Sequence, residues 1–262
     1  MKIWILMNDK SKSGFYFEHG FSALVEFKGK KILFDTGQSD LFLKNVEKLG
    51  LNLLDLDTVV ISHGHYDHGN GLEFLLKKVG PKKIYVGDGF FNLRYSGEKY
   101  AGIKHNRIFY EKIGGNFEIV QNDLEIFKGV KIITAAPLKT SEYSEKKFKI
   151  GSKKERDLFN DELYLFIESS NGAVILTGCS HRGIINIILH LSEKSRIKAV
   201  IGGFHLLNKT NEELLQISKM LSTFQIDALY PCHCTGDVAI DIFKKNLKTK
   251  VYECLAGSVF EF

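Results

Sequence analysis

The stretch SHGHYDHGNG, Ser62 to Gly71, brings His63, His65, Asp67 and His68 into six positions directly behind an apolar run. Imidazole and carboxylate suit zinc and equally iron or manganese, so the residue types point to a metal centre and leave the metal open. Spacing narrows the geometry. On a helix, positions two apart point about 200° around the axis and could not share an ion. In an extended segment they fall on one side, so His63 and His65 are expected to converge on one ion. Asp67 and His68 are adjacent, diverge, and are expected to reach a second ion as the chain turns into a helix. Gly64, Gly69 and Gly71 are expected to give that turn its backbone freedom. The bland alternative is a loop of solvated histidines, and the density of donors behind a buried segment argues against it.

Three later segments place donors at the ends of apolar runs: Cys179 and His181 in ILTGCSH, His205 in IGGFHLL, and His233 in YPCHCTG. Cys179 reads either as a metal thiolate or as a small buried hydrophobe. His205 reads as a contact for substrate phosphate or a proton donor, or else as a histidine satisfied by backbone. Cys232 and Cys234 lack a second ligand pair at zinc-finger spacing and are read as packing residues. His19, His105 and His190 carry no motif and receive the bland reading. Asp161 and Glu162 precede a strand and are either ligands or a turn.

The elements that must hold these residues alternate. SALVEF and KKILFDTG, joined by KGK with Gly29 at the turn, predict a hairpin. SDLFLKNVEKLG sets Phe42, Val46 and Leu49 on one helical face, with Ser39 as N-cap and Gly50 as stop. LDTVVIS is a buried strand that ends where the histidines begin, and GNGLEFLLKKVG and KKIYVGDG follow as helix and strand. Residues 90 to 160 are less regular, with GNFEIV and GVKIITAAP as strands, and are expected to hold a lid or insertion. The rhythm then resumes: strands ELYLFIES, AVILTG, KAVIGG, ALYPC and GSVFEF, with helices IINIILHLSEKS, NEELLQISKMLSTF and DVAIDIFKKNL among the last four. This is an α/β signature.

With 262 residues and 44% hydrophobic content the chain is expected to form one domain over 1–262. The N-terminal apolar stretch is too short for a signal peptide or a membrane span, and the four cysteines have no disulfide-framework spacing, so a soluble cytoplasmic protein is expected. The net charge of +5 owes much to YSEKKFKIGSKKER, where Lys146, Lys147, Lys149, Lys153, Lys154 and Arg156 form a solvated loop or draw in a small anionic substrate. Few aromatics interleave with these charges, which disfavours nucleic acid as a partner.

On these motifs the chain resembles the metallo-β-lactamase superfamily: SHGHYDH matches its His-x-His-x-Asp-His motif, and ILFDTG with Asp35 matches the aspartate motif ahead of it. The resemblance implies a four-layer αβ/βα sandwich of two facing sheets, with a one- or two-metal site at the sheet edge. It further implies His63, His65, Asp67, His68 and His233 as metal ligands and Asp35 as a residue that orients the metal loop. The pattern departs in two places. ITAAPLKTSEY stands where a third-motif histidine is usual and has Pro137 instead, and Cys179 stands where an aspartate usually bridges two metals. His181 is expected to fill the vacancy. TGCSHRGIIN, GGFHL and PCHCTG together resemble a subgroup named for a dihydropterin ribofuranosyl-aminobenzene phosphate synthase. The expected activity is hydrolysis by metal-activated water, with Asp67 and His205 as catalytic residues, or the subgroup's pterin transfer with loss of pyrophosphate. The expected cofactor is zinc, one or two ions, with iron or manganese as alternatives. A non-enzymatic metal or redox sensor and a phosphodiesterase or nuclease are the rival readings.

Overall fold

The structure, a computed structural model, describes residues 1–143 and 145–262; Ser144, inside the basic run, lies outside the described residues. The strands in chain order are β1 (Lys2–Met7), β2 (Ser22–Phe27), β3 (Lys30–Phe34), β4 (Thr58–Val60), β5 (Lys82–Gly87), β6 (Arg94–Ser96), β7 (Lys99–Tyr100), β8 (Gly115–Val120) and β9 (Leu124–Phe127). They continue as β10 (Val130–Ile133), β11 (Phe148–Ile150), β12 (Glu155–Arg156), β13 (Tyr164–Ser169), β14 (Gly172–Thr177), β15 (Ile197–Gly203), β16 (Ile226–Cys232), β17 (Lys250–Val251) and β18 (Val259–Glu261). The helices are α1 (Leu41–Lys48), α2 (Tyr66–Gly69), α3 (Leu72–Val79), α4 (Arg107–Lys112), α5 (Ile184–Ser192), α6 (Asn211–Leu221) and α7 (Asp237–Asn246).

Two sheets carry the molecule, in the orders β18-β1-β2-β3-β4-β5-β8 and β17-β16-β15-β14-β13-β10-β9. Each has an antiparallel half and a parallel half: β3, β4, β5 and β8 run parallel in the first, β14 to β17 in the second. Side chains alternate across each strand and so sort into three apolar layers. Ile3 and Ile5 of β1 meet Val174 and Leu176 of β14 between the sheets. Trp4 and Leu6 face α1 and α3 with Phe42, Leu72 and Leu75, while Ala173 and Ile175 face α5 and α6 with Ile187, Leu214 and Ile217. Helix, sheet, sheet, helix is the four-layer α/β sandwich expected. Both faces of the central strands are covered, which is why they read as continuous apolar runs.

Local chemistry explains the joints. Lys28 and Gly29 both have positive φ, 50° and 74°, the backbone of a tight two-residue hairpin turn. At α1 the cap is shifted by one: Asp40, not Ser39, holds the N-cap position and makes no side-chain cap bond. Ser39 Oγ instead donates to Glu18 Oε2 at 2.6 Å and accepts from Leu41 N at 3.2 Å.

The irregular stretch divides. Residues 115–133 extend both sheets, β8 forming an edge of the first and β10 and then β9 adding to the second, with β9 at its edge. The separate feature is a small sheet, β12-β11-β6-β7, built from two distant pieces of chain. Among the described residues, no helix is long and apolar enough to cross a membrane.

Candidate metal centre

In both sheets the parallel strands deliver their C-terminal ends to one place, the usual location of sites in open α/β sheets. Asp35 follows β3 and His63 follows β4, while His65, Asp67 and His68 lie at and just inside the start of α2. Cys179 and His181 follow β14, His205 follows β15, and His233 follows β16. The extended backbone at His65 (φ −93°, ψ 148°) keeps His63 and His65 on one side, with ring centroids 4.7 Å apart.

The glycines of the motif act by size. Gly64, Gly69 and Gly71 do not have positive φ, contrary to the expected role in backbone freedom. A Cβ on Gly64 would stand 2.2 Å from Phe90 O, and one on Gly71 2.0 Å from Thr36 O. They let neighbouring backbone close on the motif.

Hydrogen bonds fix the ring orientations. The fully buried Asp35 accepts from Ser62 N (2.6 Å), Ser62 Oγ (2.8 Å) and His68 Nδ1 (2.7 Å). With the Ser62 hydroxyl proton committed to Asp35, its oxygen accepts from His63 Nδ1 at 2.9 Å. Asp9 Oδ1 accepts from His233 Nδ1 at 2.6 Å. Each of these three rings is thus anchored at Nδ1 and turns Nε2 into the site. His68 Nε2 stands 3.2 Å from Cys179 Sγ. Around Asp67 Oδ2 lie the Nε2 atoms of His233 and His19 at 3.3 Å and of His68 at 3.6 Å.

Further buried imidazole nitrogens lack any hydrogen-bond partner among the described residues: Nε2 of His63 and His65, and both nitrogens of His181 and His205. Leaving such atoms unsatisfied costs about 1–3 kcal/mol each. Burial pushes His63, His65 and His181 well below the usual imidazole range, so they stay neutral with free lone pairs. Burial works the other way on Asp67, but the surrounding imidazoles outweigh it and hold its carboxyl well below the usual carboxylate range. Imidazole nitrogens, a carboxylate and a thiol form sets whose ligand atoms lie within 4.8 Å of one another: Asp67, His68, Cys179 and His233 in one, and His63, Cys179 and His181 in another. Orphaned buried donors of these types fit a divalent metal, and Cys179 stands in both sets.

Two buried carboxylates brace the loops. Asp161 Oδ2 accepts from Gly64 N at 2.8 Å, and its Oδ1 pairs with Arg94 at 2.7 Å. Glu162 accepts from His181 N, Arg182 N and Tyr164 Oη at 2.6, 3.0 and 2.6 Å; burial pushes its carboxyl up to about 7. Both residues hold the site's backbone as well as ending a turn. The stretch around Pro137 packs on α5, where Lys139 N and Thr140 N donate to Asn186 Oδ1. Phe159 lies against the motif instead, 5.8 Å from the His63 ring and stacked on His181 at 3.7 Å.

His19, read from sequence as a bland loop histidine, is part of the site: Asp9 Oδ2 holds its Nδ1 at 2.9 Å, and its ring lies 4.8 Å from His233. Cys234, read as packing, sits with Cys179 and His205. Neither has a local motif, and position beside an already placed ligand is what reveals them. His105 stacks on Phe109 away from the cluster, in keeping with its bland reading.

A cavity of about 220 Å³ opens onto the donors, lined among others by His65, Asp67, Lys147, Phe148, His181 and His205. A larger cavity of about 1080 Å³ beside β16 and β17, lined by Arg196, Lys198, Tyr252 and Phe262, contains none of the histidines and is not the site.

A sandwich with metal-donor side chains gathered at its strand ends defines a class of metal-dependent enzymes, and a family model described as the metallo-beta-lactamase superfamily matches residues 16–143. The chain belongs to the metallo-β-lactamase superfamily. It is 40% identical, with a TM-score of 0.90, to the crystal structure of Tm1679, described as a metal-dependent hydrolase of the β-lactamase superfamily; 100% of this chain and 99% of that one are covered. Two proteins of Methanocaldococcus jannaschii are also similar. The uncharacterized protein MJ0448 is 34% identical, covering 91% of this chain and 92% of its own length. The other is a 7,8-dihydropterin-6-methyl-4-(beta-D-ribofuranosyl)-aminobenzene-5'-phosphate synthase, 29% identical, covering 100% of this chain and 97% of its own length. The fold implies a divalent metal, in keeping with the donor sets.

Proposed function

We propose that this chain is a metal-dependent enzyme that cleaves an ester or phosphoester bond in a small anionic substrate, phosphorylated or pterin-like. One observation carries the reading: His63, His68 and His233 are each anchored at Nδ1, and all three rings stand in donor sets that share Cys179. His63, His65, Asp67, His68, Cys179, His181 and His233 would hold one or two ions, zinc in the first instance and iron or manganese as alternatives. Such an ion supplies Lewis acidity, polarising a carbonyl or phosphoryl oxygen and lowering the pKa of water to about 7. The chain's own residues do the rest. Lys147, paired with Glu145 at 3.0 Å, meets the anionic group from the cavity wall by exchanging that partner, and Phe148, 5.4 Å from the His65 ring and 5.0 Å from His181, excludes bulk water. The Asp67 carboxylate accepts a hydrogen bond from the attacking group. A single lysine over a cavity of about 220 Å³ suits a small anion and gives a nucleic-acid backbone no basic track. The absence of disulfide spacing supports a cytoplasmic setting.

The second reading is pterin transfer, in which the amine nitrogen of an aminobenzene attacks a pterin methyl carbon, pyrophosphate leaves that carbon, and the nitrogen gives up a proton. The full-length similarity to the synthase favours it. Metal-loaded protein is to be incubated first with phosphoesters and lactones, then with a dihydropterin pyrophosphate plus an aminobenzene ribofuranosyl phosphate. Turnover in the first set supports hydrolysis, and turnover confined to the second supports transfer. No turnover in either, with reversible spectral change on oxidation, would replace the enzyme reading with a metal or redox sensor. His65→Ala is expected to lose metal and, with it, activity.

A further inference from the structure

Cys179, His205 and Cys234 form a third donor set, again with ligand atoms within 4.8 Å of one another. The three follow adjacent parallel strands, β14, β15 and β16. The middle strand reaches the site through Gly203, where a Cβ would stand 2.7 Å from Cys234 Sγ and 2.6 Å from Gly178 O. Glycine there leaves the Cys234 thiol room to cross toward Cys179, whose carbonyl oxygen it meets at 3.6 Å. His205 completes the set with two buried nitrogens that have no hydrogen-bond partner among the described residues; Glu145 Oε1 stands 3.7 Å from Nε2. Its backbone has φ 52°, a left-handed conformation that costs a non-glycine residue about 1–3 kcal/mol and persists where surroundings fix the side chain.

We propose that Cys179, His205 and Cys234 ligate a thiophilic divalent ion, giving the centre a sulfur-rich pole beside its nitrogen and oxygen pole, with Cys179 shared between them. Two thiolates and an imidazole are a usual zinc ligand set, and soft sulfur selects zinc or iron over magnesium or manganese. Ligands at zinc distances stand roughly 3.3–3.8 Å apart in a tetrahedron, so small side-chain adjustments close the set. If the two thiols served as buried hydrophobes, His205 would keep both nitrogens unsatisfied, and burying polar atoms that way is unfavourable. His205 thereby becomes a metal ligand in place of the substrate contact suggested by its sequence position. The inference rests on the neighbouring donors being a metal centre.

The test uses cobalt-substituted full-length protein, comparing wild type, Cys234→Ser and His205→Ala after far-UV circular dichroism has shown that all three are folded. Metal per chain is counted by elemental analysis, and sulfur-to-cobalt charge transfer is read in the near ultraviolet. Wild type is expected to show a strong charge-transfer band. Cys234→Ser should lose the larger part of it, because both sulfur–cobalt bonds of the lost ion go and only that of the shared Cys179 to its other ion remains, and each variant should bind about one equivalent less metal. Variants with wild-type metal content and an unaltered band would overturn the third set while leaving the proposed function standing. A wild-type chain that takes up no metal would overturn both.

Discussion

Asp35 accepts three hydrogen bonds at once, from Ser62 N, Ser62 Oγ and His68 Nδ1, and has no exposed surface. It aims His68 directly and His63 through Ser62. Asp35→Asn exchanges one acceptor oxygen for a donor, so at least one of these bonds becomes a clash of two donors. Removing partners that orient metal ligands typically weakens metal binding about 10–100-fold, and that is the expected loss here, read by competition against a chelator of known affinity. Unchanged affinity would show that the rings are held by packing alone. Asp35 and the four motif donors were legible because local spacing encodes local geometry. Asp9, His19 and Cys234 were not. Asp9 lies 224 positions before His233, and nothing near either residue in the chain records that they touch. The motif glycines were legible as glycines but mistaken in purpose, because the clash each avoids comes from other segments of the chain: backbone at Gly64 and Gly71, the Ile103 side chain at Gly69.

At the scale of elements, the small sheet is tied to the metal loop through one buried cation. Arg94, 1% exposed, pairs with Asp157 and Asp161 at 2.6 and 2.7 Å, and Asp161 in turn accepts from Gly64 N. Arg94→Met keeps much of the volume and leaves two buried carboxylates without their cation. Removing one partner of a buried ion pair destabilises by about 3–5 kcal/mol, so a marked drop in the denaturant midpoint is expected, with metal affinity falling as the Gly64 loop loosens. A midpoint within error of wild type would mean that the carboxylates take up protons at little cost. The small sheet was beyond sequence reading for a physical reason: strands of two or three residues are too short to show a period of two, and β6 and β11 pair across some fifty positions. The longer strands and amphipathic helices bury whole faces, and their patterns state which faces.

For the whole molecule, the donors are divided between the two sheets. His63, His65, Asp67 and His68 belong to the first; Cys179, His181, His205 and His233 belong to the second. Direct links between the halves also converge here, among them Leu163 N to Ser62 O at 2.7 Å. Metal held by both sets therefore joins the sheets at this edge, whereas the apolar layer between them holds the interior. An ion that binds the folded chain alone stabilises it by about 4 kcal/mol at a thousandfold excess over its dissociation constant. For a chain of this size that corresponds to a rise in melting temperature on the order of 10 °C. Chelation is expected to lower the melting temperature by about that much, and added zinc to restore it; His65→Ala, already short of one ligand, should respond less. Thermal melts of both proteins with and without chelator make the measurement. If wild type loses its metal and melts unchanged, the apolar layer alone holds the sheets together, and the metal centre contributes to chemistry without contributing to the fold.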